Sequence, residues 1–128
     1  MNLNQVTISV KDVEKSIEFY QKLGLKLIVK ALPHYARFVC PVGDATFSLH
    51  QDDKAEENRG TWIYFEIEKL DEKVEELIKK GFEFDEMPND KTWLWREAHL
   101  RDLDQNKIIL YFAGENRLNP PWRIKEVN

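Results

Sequence analysis

The feature that most constrains this chain is an internal repeat. A shift of 57 positions lays Gly24 on Gly81. The same shift aligns residues of similar character, pairing Val10 with Ile67, Val13 with Leu70, Ile17 with Val74 and Tyr20 with Leu77. Self-similarity at a fixed period indicates that one supersecondary unit is used twice. Whatever the first half folds into, the second half should therefore fold into as well.

The first half predicts one strand, one helix and three further strands. Residues 5–10 alternate with period two, which places Val6, Ile8 and Val10 on one face of a strand. Asp12 is a good N-cap for a helix, and Gly24 is a good residue to end it. Three strands are then predicted at residues 26–30, 35–40 and 45–50.

The second half predicts the same order. A strand at 61–67 precedes a helix at 70–80 that Gly81 ends, and strands follow at 82–85, 93–101 and 107–112. Residues 52–60 are polar and charged, which is typical of a surface linker. We therefore predict one domain at 1–113, made of repeat one (3–51), the linker and repeat two (61–113), followed by an extended C-terminal arm at 114–128, where two prolines exclude a central strand.

Composition excludes several classes of protein. The chain has 128 residues, 42% hydrophobic and 33% charged, which is the balance of one globular domain rather than of a disordered chain. The net charge of −4 and the scattered basic residues argue against nucleic acid or an anionic membrane as a partner. Because Met1 to Gln5 lacks the pattern of a signal peptide and Cys40 is the single cysteine, we expect a cytoplasmic protein.

Three segments resemble the vicinal-oxygen-chelate superfamily, which includes glyoxalase I, extradiol dioxygenases, fosfomycin-resistance enzymes and bleomycin-resistance proteins. They are residues 10–20 (VKDVEKSIEFY), residues 23–25 (LGL) and residues 101–106 (RDLDQN). The last is similar to the Asp-Pro-Asp-Gly-Asn turn of the family, with Leu103 and Gln105 in place of Pro and Gly. The resemblance covers residues 3 to 113. It implies an α+β fold in which two tandem βαβββ repeats form curved mixed sheets around a cleft, the glyoxalase/bleomycin-resistance fold.

The metal enzymes of that superfamily bind a divalent ion through four strand positions. In this sequence the resemblance assigns those positions to Gln5, Ser48, Trp62 and Ile109. Of these only Gln5 is a possible ligand, since Trp and Ile cannot bind a metal and an uncharged Ser is poor. We therefore expect the usual metal site to be missing and assign no cofactor, although a divalent metal elsewhere stays open.

Strand alternation adds other side chains to the predicted cleft face. The candidate ligand-binding residues are Gln5, Arg37, Ser48, His50, Trp62, Tyr64, Trp95, Glu97, His99 and Tyr111. Adjacent carboxylates on this face, Glu66 and Glu97, would favour a cationic ligand.

Three readings are open for His50, Glu97 and His99, the candidate catalytic residues. They can be satisfied polar groups in a partly wet cleft. They can recognise a ligand, with Glu97 orienting a histidine. They can also form a relocated metal or general acid/base site, because two His and one carboxylate are a sound metal set and a histidine transfers protons near neutral pH. Whether His50 comes close to the other two is not fixed by the sequence.

The aromatic residues and Arg37 also have two readings each. The aromatic side chains can fill a core, or they can form a stacking platform for an aromatic or cationic ligand. Arg37 can take part in an exposed salt bridge, or it can reach a ligand carboxylate or phosphate.

The leading hypothesis is a small-molecule-binding protein of the bleomycin-resistance kind that works without metal. One alternative is a glyoxalase-type lyase, isomerase or transferase with a shifted His/Glu site, so whether the protein is an enzyme stays open. Another is a structural or interaction module with a filled cleft. We expect a small organic ligand and, by analogy with the family, a homodimer.

Overall fold

The computed structural model describes residues 1–55 and 61–124. In these residues the elements follow the order β1 (Gln5–Val10), α1 (Val13–Leu23), β2 (Lys26–Ala31), β3 (Tyr35–Val39), β4 (Thr46–Gln51), β5 (Trp62–Glu66), α2 (Leu70–Lys79), β6 (Glu86–Asp90), β7 (Arg96–Arg101) and β8 (Lys107–Phe112). This is βαβββ twice, as the repeat predicts. Neither helix is long and apolar enough to cross a bilayer within the described residues.

The two sheets have matching topology. Strands of the first sheet run in the order β1-β4-β3-β2, and those of the second run β5-β8-β7-β6. In each sheet the first and last strands of the repeat, β1 with β4 and β5 with β8, pair in parallel, and the other pairs are antiparallel. The predicted α+β class and tandem repeats are confirmed.

The local signals around α1 act as predicted. The Asp12 side chain accepts a hydrogen bond from the Lys15 amide, which satisfies one free donor of the first turn. Gly24 ends the helix at φ +124°, a conformation that costs little without a Cβ, and its amide reaches the carbonyl of Tyr20.

The buried residues follow the helical and strand periods of each repeat. Tyr20 packs against Phe47 and Phe38, with ring centroids 4.9 and 6.0 Å apart. Its counterpart in the repeat, Leu77, is also fully buried. Each helix therefore covers one face of its own sheet. We call the uncovered face of the β1–β4 sheet the first helix-free face and the uncovered face of the β5–β8 sheet the second helix-free face.

The strand predicted at 82–85 is wrong, because pairing begins only at Glu86. The Phe82 amide instead donates to the carbonyl of Leu77 and completes the end of α2. β6 is an edge strand whose register shifts between Glu86 and Asn89, around Pro88. A proline lacks the amide hydrogen for a ladder and is tolerated at an edge or a bulge.

The strand predicted at 93–101 begins three residues late, at Arg96. A turn precedes it, in which the Leu94 amide donates to the carbonyl of Lys91 and Leu94 has φ +68°. Trp93 therefore belongs to the hairpin turn between β6 and β7 and not to the strand. Its indole is nevertheless held against β7 by a hydrogen bond to Glu97.

The predicted extended arm is wrong at its start. Gly114–Arg117 forms a short 3-10 helix, and the amides of Ala113 and Gly114 both donate to Glu66 Oε2 at 2.9 Å. Residues 125–128 of the predicted arm and 56–60 of the predicted linker lie outside the described residues. The domain boundary at 113 stays a prediction.

The chain separates into two compact units that do not coincide with the repeats. The first unit is Met1–Thr61 together with Asp102–Asn106, and the second is Trp62–Arg101 with Lys107–Asn128. The connection between β7 and β8 thus belongs to the first unit. There the buried Asp102 carboxylate accepts hydrogen bonds from the Tyr20 hydroxyl at 2.6 Å and the Asn106 amide at 2.8 Å. The Lys11 amide donates to Asp104 at 2.8 Å.

Candidate functional site

The first helix-free face carries a line of hydrogen-bonded side chains from β1, β4 and β3. Register places Arg37 opposite Ser48 and Thr46 opposite Gln5, so their side chains share a face. Gln5 Nε2 donates to Ser48 Oγ at 2.9 Å, and Ser48 Oγ lies 2.7 Å from the Tyr35 hydroxyl. Arg37 Nε donates to the same Tyr35 oxygen at 2.8 Å. Three of the predicted residues, Gln5, Ser48 and Arg37, are thereby linked through Tyr35.

Tyr35 is the electrostatically unusual member of this line. Desolvation raises the pKa of its hydroxyl, but the hydrogen bonds with Ser48 and Arg37 and the Arg37 charge outweigh that effect. The net result is a pKa below the usual value for tyrosine. The Arg37 guanidinium carbon lies 5.4 Å from the centre of the Tyr35 ring, so the charge is held beside the ring. A tyrosine in this setting is a stronger hydrogen-bond donor than an ordinary one.

His50 lies on the same face but outside this line. It is the cross-strand partner of Tyr35, and its side chain is exposed. The structure records no hydrogen bond or ion pair between His50 and any described residue. His50 belongs to the first unit, whereas Glu97 and His99 belong to the second.

The second helix-free face holds a buried carboxylate with two donors. Glu97 is 2% exposed, and its oxygens meet Trp93 Nε1 at 2.7 Å and His99 Nε2 at 2.8 Å. The other ring nitrogen of His99 lies 3.2 Å from Glu86 Oε2. Glu86 is itself paired with Lys91. The prediction that Glu97 orients a histidine is consistent with this geometry, and the histidine is His99.

Three aromatic side chains pack beside Glu97 on this face, and we call them the aromatic trio: Tyr64, Trp95 and Tyr111. Trp95 stacks on Tyr111 with ring centroids 4.6 Å apart and planes 21° apart. Tyr64 meets both of the other rings edge-on, at 5.9 and 5.6 Å. Tyr111 is buried, but Tyr64 is 41% exposed and Trp95 is half-buried. The trio is therefore partly core and partly surface.

Carboxylates influence both tyrosines of the trio. Burial raises the pKa of Tyr64, and the charge of Glu97 raises it further. Burial raises the pKa of Tyr111 in the same way, and the charge of Glu66 adds to it, while the charge of Arg117, which lies 3.8 Å from Glu66, opposes it. Negative charge thus acts on the trio from Glu97 and Glu66, and Arg117 offsets part of the second.

Trp62 stands apart from the trio. It is 55% exposed, and the Lys107 ammonium lies 4.2 Å from the centre of its ring. That cation–π contact already occupies one face of the indole.

Three residues that these clusters use, Tyr35, Glu86 and Trp93, are absent from the sequence-based candidates. Tyr35 has the same strand parity as Arg37, so alternation along β3 could have found it. Glu86 was missed because β6 was predicted four residues too early.

The four positions that the resemblance assigns to metal ligands do not fit a divalent ion. The Gln5 amide donates to Ser48, Trp62 contacts Lys107, and Ile109 is fully buried without a lone pair to offer. Within residues 1–55 and 61–124, no three His, Cys, Asp or Glu side chains are placed to hold a metal. A relocated site that includes His50 stays a hypothesis.

The fold and the sequence both match known proteins. A model of the Glyoxalase/Bleomycin resistance protein/Dioxygenase superfamily matches residues 2–110. The chain belongs to this superfamily. It is 31% identical over 127 residues to the protein YraH of Bacillus subtilis strain 168, covering 87% of this chain and 98% of the relative. It is 28% identical over 137 residues to a trivalent organoarsenical cleaving enzyme of Bacillus sp. strain MD1, covering 94% and 81%.

Solved structures of this superfamily share the fold. A glyoxalase/bleomycin resistance protein/dioxygenase from Nocardioides matches with a TM-score of 0.75 and 21% identity, over 97% of this chain and 89% of that one. The bleomycin resistance determinant encoded on transposon Tn5 matches with a TM-score of 0.73 and 14% identity, over 88% and 98%. At these identities the likeness establishes the fold alone.

Proposed function

We propose that this protein binds a small organic molecule that carries a flat ring and a positive charge, and that it needs no resident divalent cation to do so. The observation that supports the proposal is the aromatic trio beside the buried Glu97. The enclosure of that surface in a cleft between two sheets stays a prediction.

The trio offers an aromatic surface that is already ordered. Trp95 is fixed from one side by its stack on Tyr111, and Tyr64 is braced edge-on against both. Aromatic pairs contribute about 0.5–1.5 kcal/mol beyond the area they bury. A ligand ring that extends this cluster gains the same kind of contact without having to order the side chains first.

The carboxylates beside the trio favour a ligand with a positive charge. Glu97 and Glu66 both disfavour a second negative charge at the tyrosine hydroxyls, as the raised pKa values of Tyr64 and Tyr111 show. A cation at the same place is favoured by those carboxylates and by the aromatic faces. Glu97 is held in position by Trp93 and His99, so it need not be reoriented when a ligand binds.

Calorimetric titration with three probes tests the proposal. We expect 1-methylquinolinium to bind more tightly than quinoline-2-carboxylate, which has the ring with the opposite charge, and than tetramethylammonium, which has the charge without the ring. Trp95→Ala should weaken binding of 1-methylquinolinium about tenfold. Trp122→Ala, which removes a tryptophan that is 58% exposed near the C-terminus, is the matched control.

Two outcomes would overturn the proposal. One is equal affinity for the cationic and anionic rings. The other is a loss of binding after dialysis against EDTA that added divalent metal restores. If no aromatic probe binds at all, the filled-cleft alternative, in which the trio is only core, replaces it.

A second candidate is proton transfer by His99. The observation in its favour is that His99 lies between Glu86 and Glu97, which fixes its ring as a general acid or base requires. Lactoylglutathione in heavy water is a direct probe, because removal and return of the proton next to its carbonyl leaves deuterium on that carbon. We expect His99→Gln to abolish the deuterium incorporation while His34→Gln keeps it. Absence of incorporation with the unaltered protein rejects this candidate.

We further propose that the protein is a cytoplasmic homodimer. Support comes from apolar side chains that stay exposed toward the C-terminal end, among them Leu118 and Ile124. Light scattering during size exclusion measures the mass directly, and a value of about one chain would refute the dimer.

A further inference from the structure

The four strands of the first sheet carry no carboxylate. Strands β1 to β4 contain neither Asp nor Glu, but they contain Lys26, Lys30, Arg37 and His50. The strands of the second sheet contain Glu66, Glu86, Asp90 and Glu97 beside the basic residues Arg96, Arg101 and Lys107. Register places Lys26, Arg37 and His50 on the first helix-free face with no strand carboxylate, whereas the surface that the proposed function uses carries Glu66 and Glu97.

The hydrogen atoms along the line from Gln5 to Arg37 can be assigned from burial. Ser48 is fully buried and already accepts a hydrogen bond from Gln5. Its own hydroxyl hydrogen must also find an acceptor, since a buried donor without one costs about 1–3 kcal/mol. The oxygen of Tyr35, 2.7 Å away, is the acceptor that satisfies it.

With Ser48 as the donor, the hydroxyl hydrogen of Tyr35 is available to donate to another acceptor. The Tyr35 oxygen then accepts from Ser48 and from Arg37 Nε, which uses both of its lone pairs. No described residue is recorded as accepting from Tyr35 once Ser48 is the donor. Tyr35 is half-buried, so an external acceptor can reach its hydroxyl.

Arg37 supplies a second group of donors at the same place. Its Nε is engaged with Tyr35, and the structure records no partner for its two terminal nitrogens among residues 1–55 and 61–124. A guanidinium fixed through one nitrogen presents the rest of its planar donor fork, which matches the oxygens of carboxylates and phosphates.

We propose that Tyr35 and Arg37 form an oxyanion-binding site on the first helix-free face, which takes the carboxylate or phosphonate group of a small ligand. The hydroxyl of Tyr35 and the terminal nitrogens of Arg37 donate to the ligand. Gln5 and Ser48 hold Tyr35 in position without touching the ligand. The site belongs to the first unit, whereas the trio belongs to the second, and the inference does not depend on the function proposed above.

Titration with benzoate, phenylphosphonate and benzyl alcohol tests this site. All three have one phenyl ring, so the ring contributes equally and the head group decides. We expect both anions to bind and benzyl alcohol not to bind, and the tighter anion identifies which oxyanion the site takes. Arg37→Gln and Tyr35→Phe should each weaken the anions about tenfold, the usual effect of losing a hydrogen bond to a charged group.

The controls separate this site from general charge effects and from misfolding. Lys22→Gln removes an equal charge from α1, which covers the other face of the same sheet, and should leave anion affinity unchanged. Arg37→Lys keeps the charge without the fork and should bind more weakly than the unaltered protein. Bound benzoate should also raise the pKa of Tyr35, measured by NMR of labelled tyrosine, because a phenolate and a carboxylate repel each other.

Three results would overturn the inference. They are no anion binding by the unaltered protein, anion binding that survives both Arg37→Gln and Tyr35→Phe, and an unchanged pKa of Tyr35 at saturating benzoate. None of these depends on how 1-methylquinolinium behaves, so failure here is distinguishable from failure of the proposed function.

Discussion

The hydroxyl of Tyr20, on α1, donates a 2.6 Å hydrogen bond to Asp102, which lies 82 residues further along the chain, and both groups are buried. Tyr20→Phe removes this bond and leaves the ring in place. The expected loss is about 1.5–3 kcal/mol of unfolding free energy, the range for hydrogen bonds to charged groups. Urea unfolding measures it, and Tyr64→Phe, whose hydroxyl lies on an exposed side chain, should cost far less.

The same bond makes stability sensitive to alkali. Burial, and then the charge of Asp102, raise the pKa of Tyr20 well above its usual value. The unfolded chain therefore ionises first, so this contribution is complete below about pH 10 and is lost as the pH rises above that value. The unfolding free energy of Tyr20→Phe should fall less steeply in that range. Parallel curves for the two proteins would contradict the assignment.

The first tyrosine to ionise should be Tyr35. Its pKa is lowered by the hydrogen bonds from Ser48 and Arg37, which outweigh desolvation, whereas the pKa values of Tyr20, Tyr64 and Tyr111 are raised. A near-ultraviolet titration should show one phenolate forming ahead of the others. This first step should vanish in Tyr35→Phe. If it persists there, another tyrosine ionises first and the description of Tyr35 is wrong.

Replacement of Glu97 by glutamine should destabilise the protein although the shape is kept. A glutamine oxygen can accept from Trp93, but its amide nitrogen then faces His99 Nε2, which can accept only as the other tautomer, so two charge-assisted hydrogen bonds become neutral ones. Each such exchange costs about 1 kcal/mol. Thermal unfolding of Glu97→Gln measures the loss. Glu83→Gln, at an exposed position of the same unit, should be neutral, and equal effects of the two substitutions would refute the buried pairing.

Glu66 should control the backbone after β8. Its Oε2 accepts the amides of Ala113 and Gly114, each at 2.9 Å. Charged acceptors make stronger hydrogen bonds than neutral ones, so Glu66→Gln should speed hydrogen exchange at these two amides roughly fivefold. The exposed Glu68 provides the control, since Glu68→Gln should leave both exchange rates unchanged. Unaltered exchange in Glu66→Gln would show that the bonds do not protect this turn.

Sequence patterns predicted those parts of the fold that are set by short-range chemistry. The alternation of residues 5–10, the Asp12 cap and the Gly24 terminus each depend on neighbours within a few residues, and all three are confirmed. β6 depends instead on which strand it meets. Because Pro88 argues against a strand in the sequence, β6 is recognised only from its pairing with β7, and Glu86 was therefore missed as a candidate.

The sequence predicted on which face of the sheet the candidate residues lie, but it did not predict which of them contact one another. The resemblance assigned Gln5 and Ser48 to the predicted cleft face, and Arg37 was a candidate because it lies where a loop enters the third strand. The structure links all three. Alternation along β3 puts Tyr35 on the same face as Arg37, but it does not show that Tyr35 joins these three, because that link depends on the lengths and directions of four side chains. Likewise, the sequence put His50 beside Glu97 and His99 in one hypothesis, while the structure assigns His50 to a different unit.

The turn between β7 and β8 has a consequence for how the chain can be divided. A fragment that stops before β5 would contain Tyr20, Lys11 and the whole first sheet, yet it would lack Asp102, Asp104 and Asn106, on which they depend. The first repeat alone would therefore have every strand and helix of the motif but would lack these stabilising hydrogen bonds. A chain built from two copies of repeat one would have the same secondary structure, but the buried hydroxyl of Tyr20 would lack the Asp102 carboxylate that accepts its hydrogen bond.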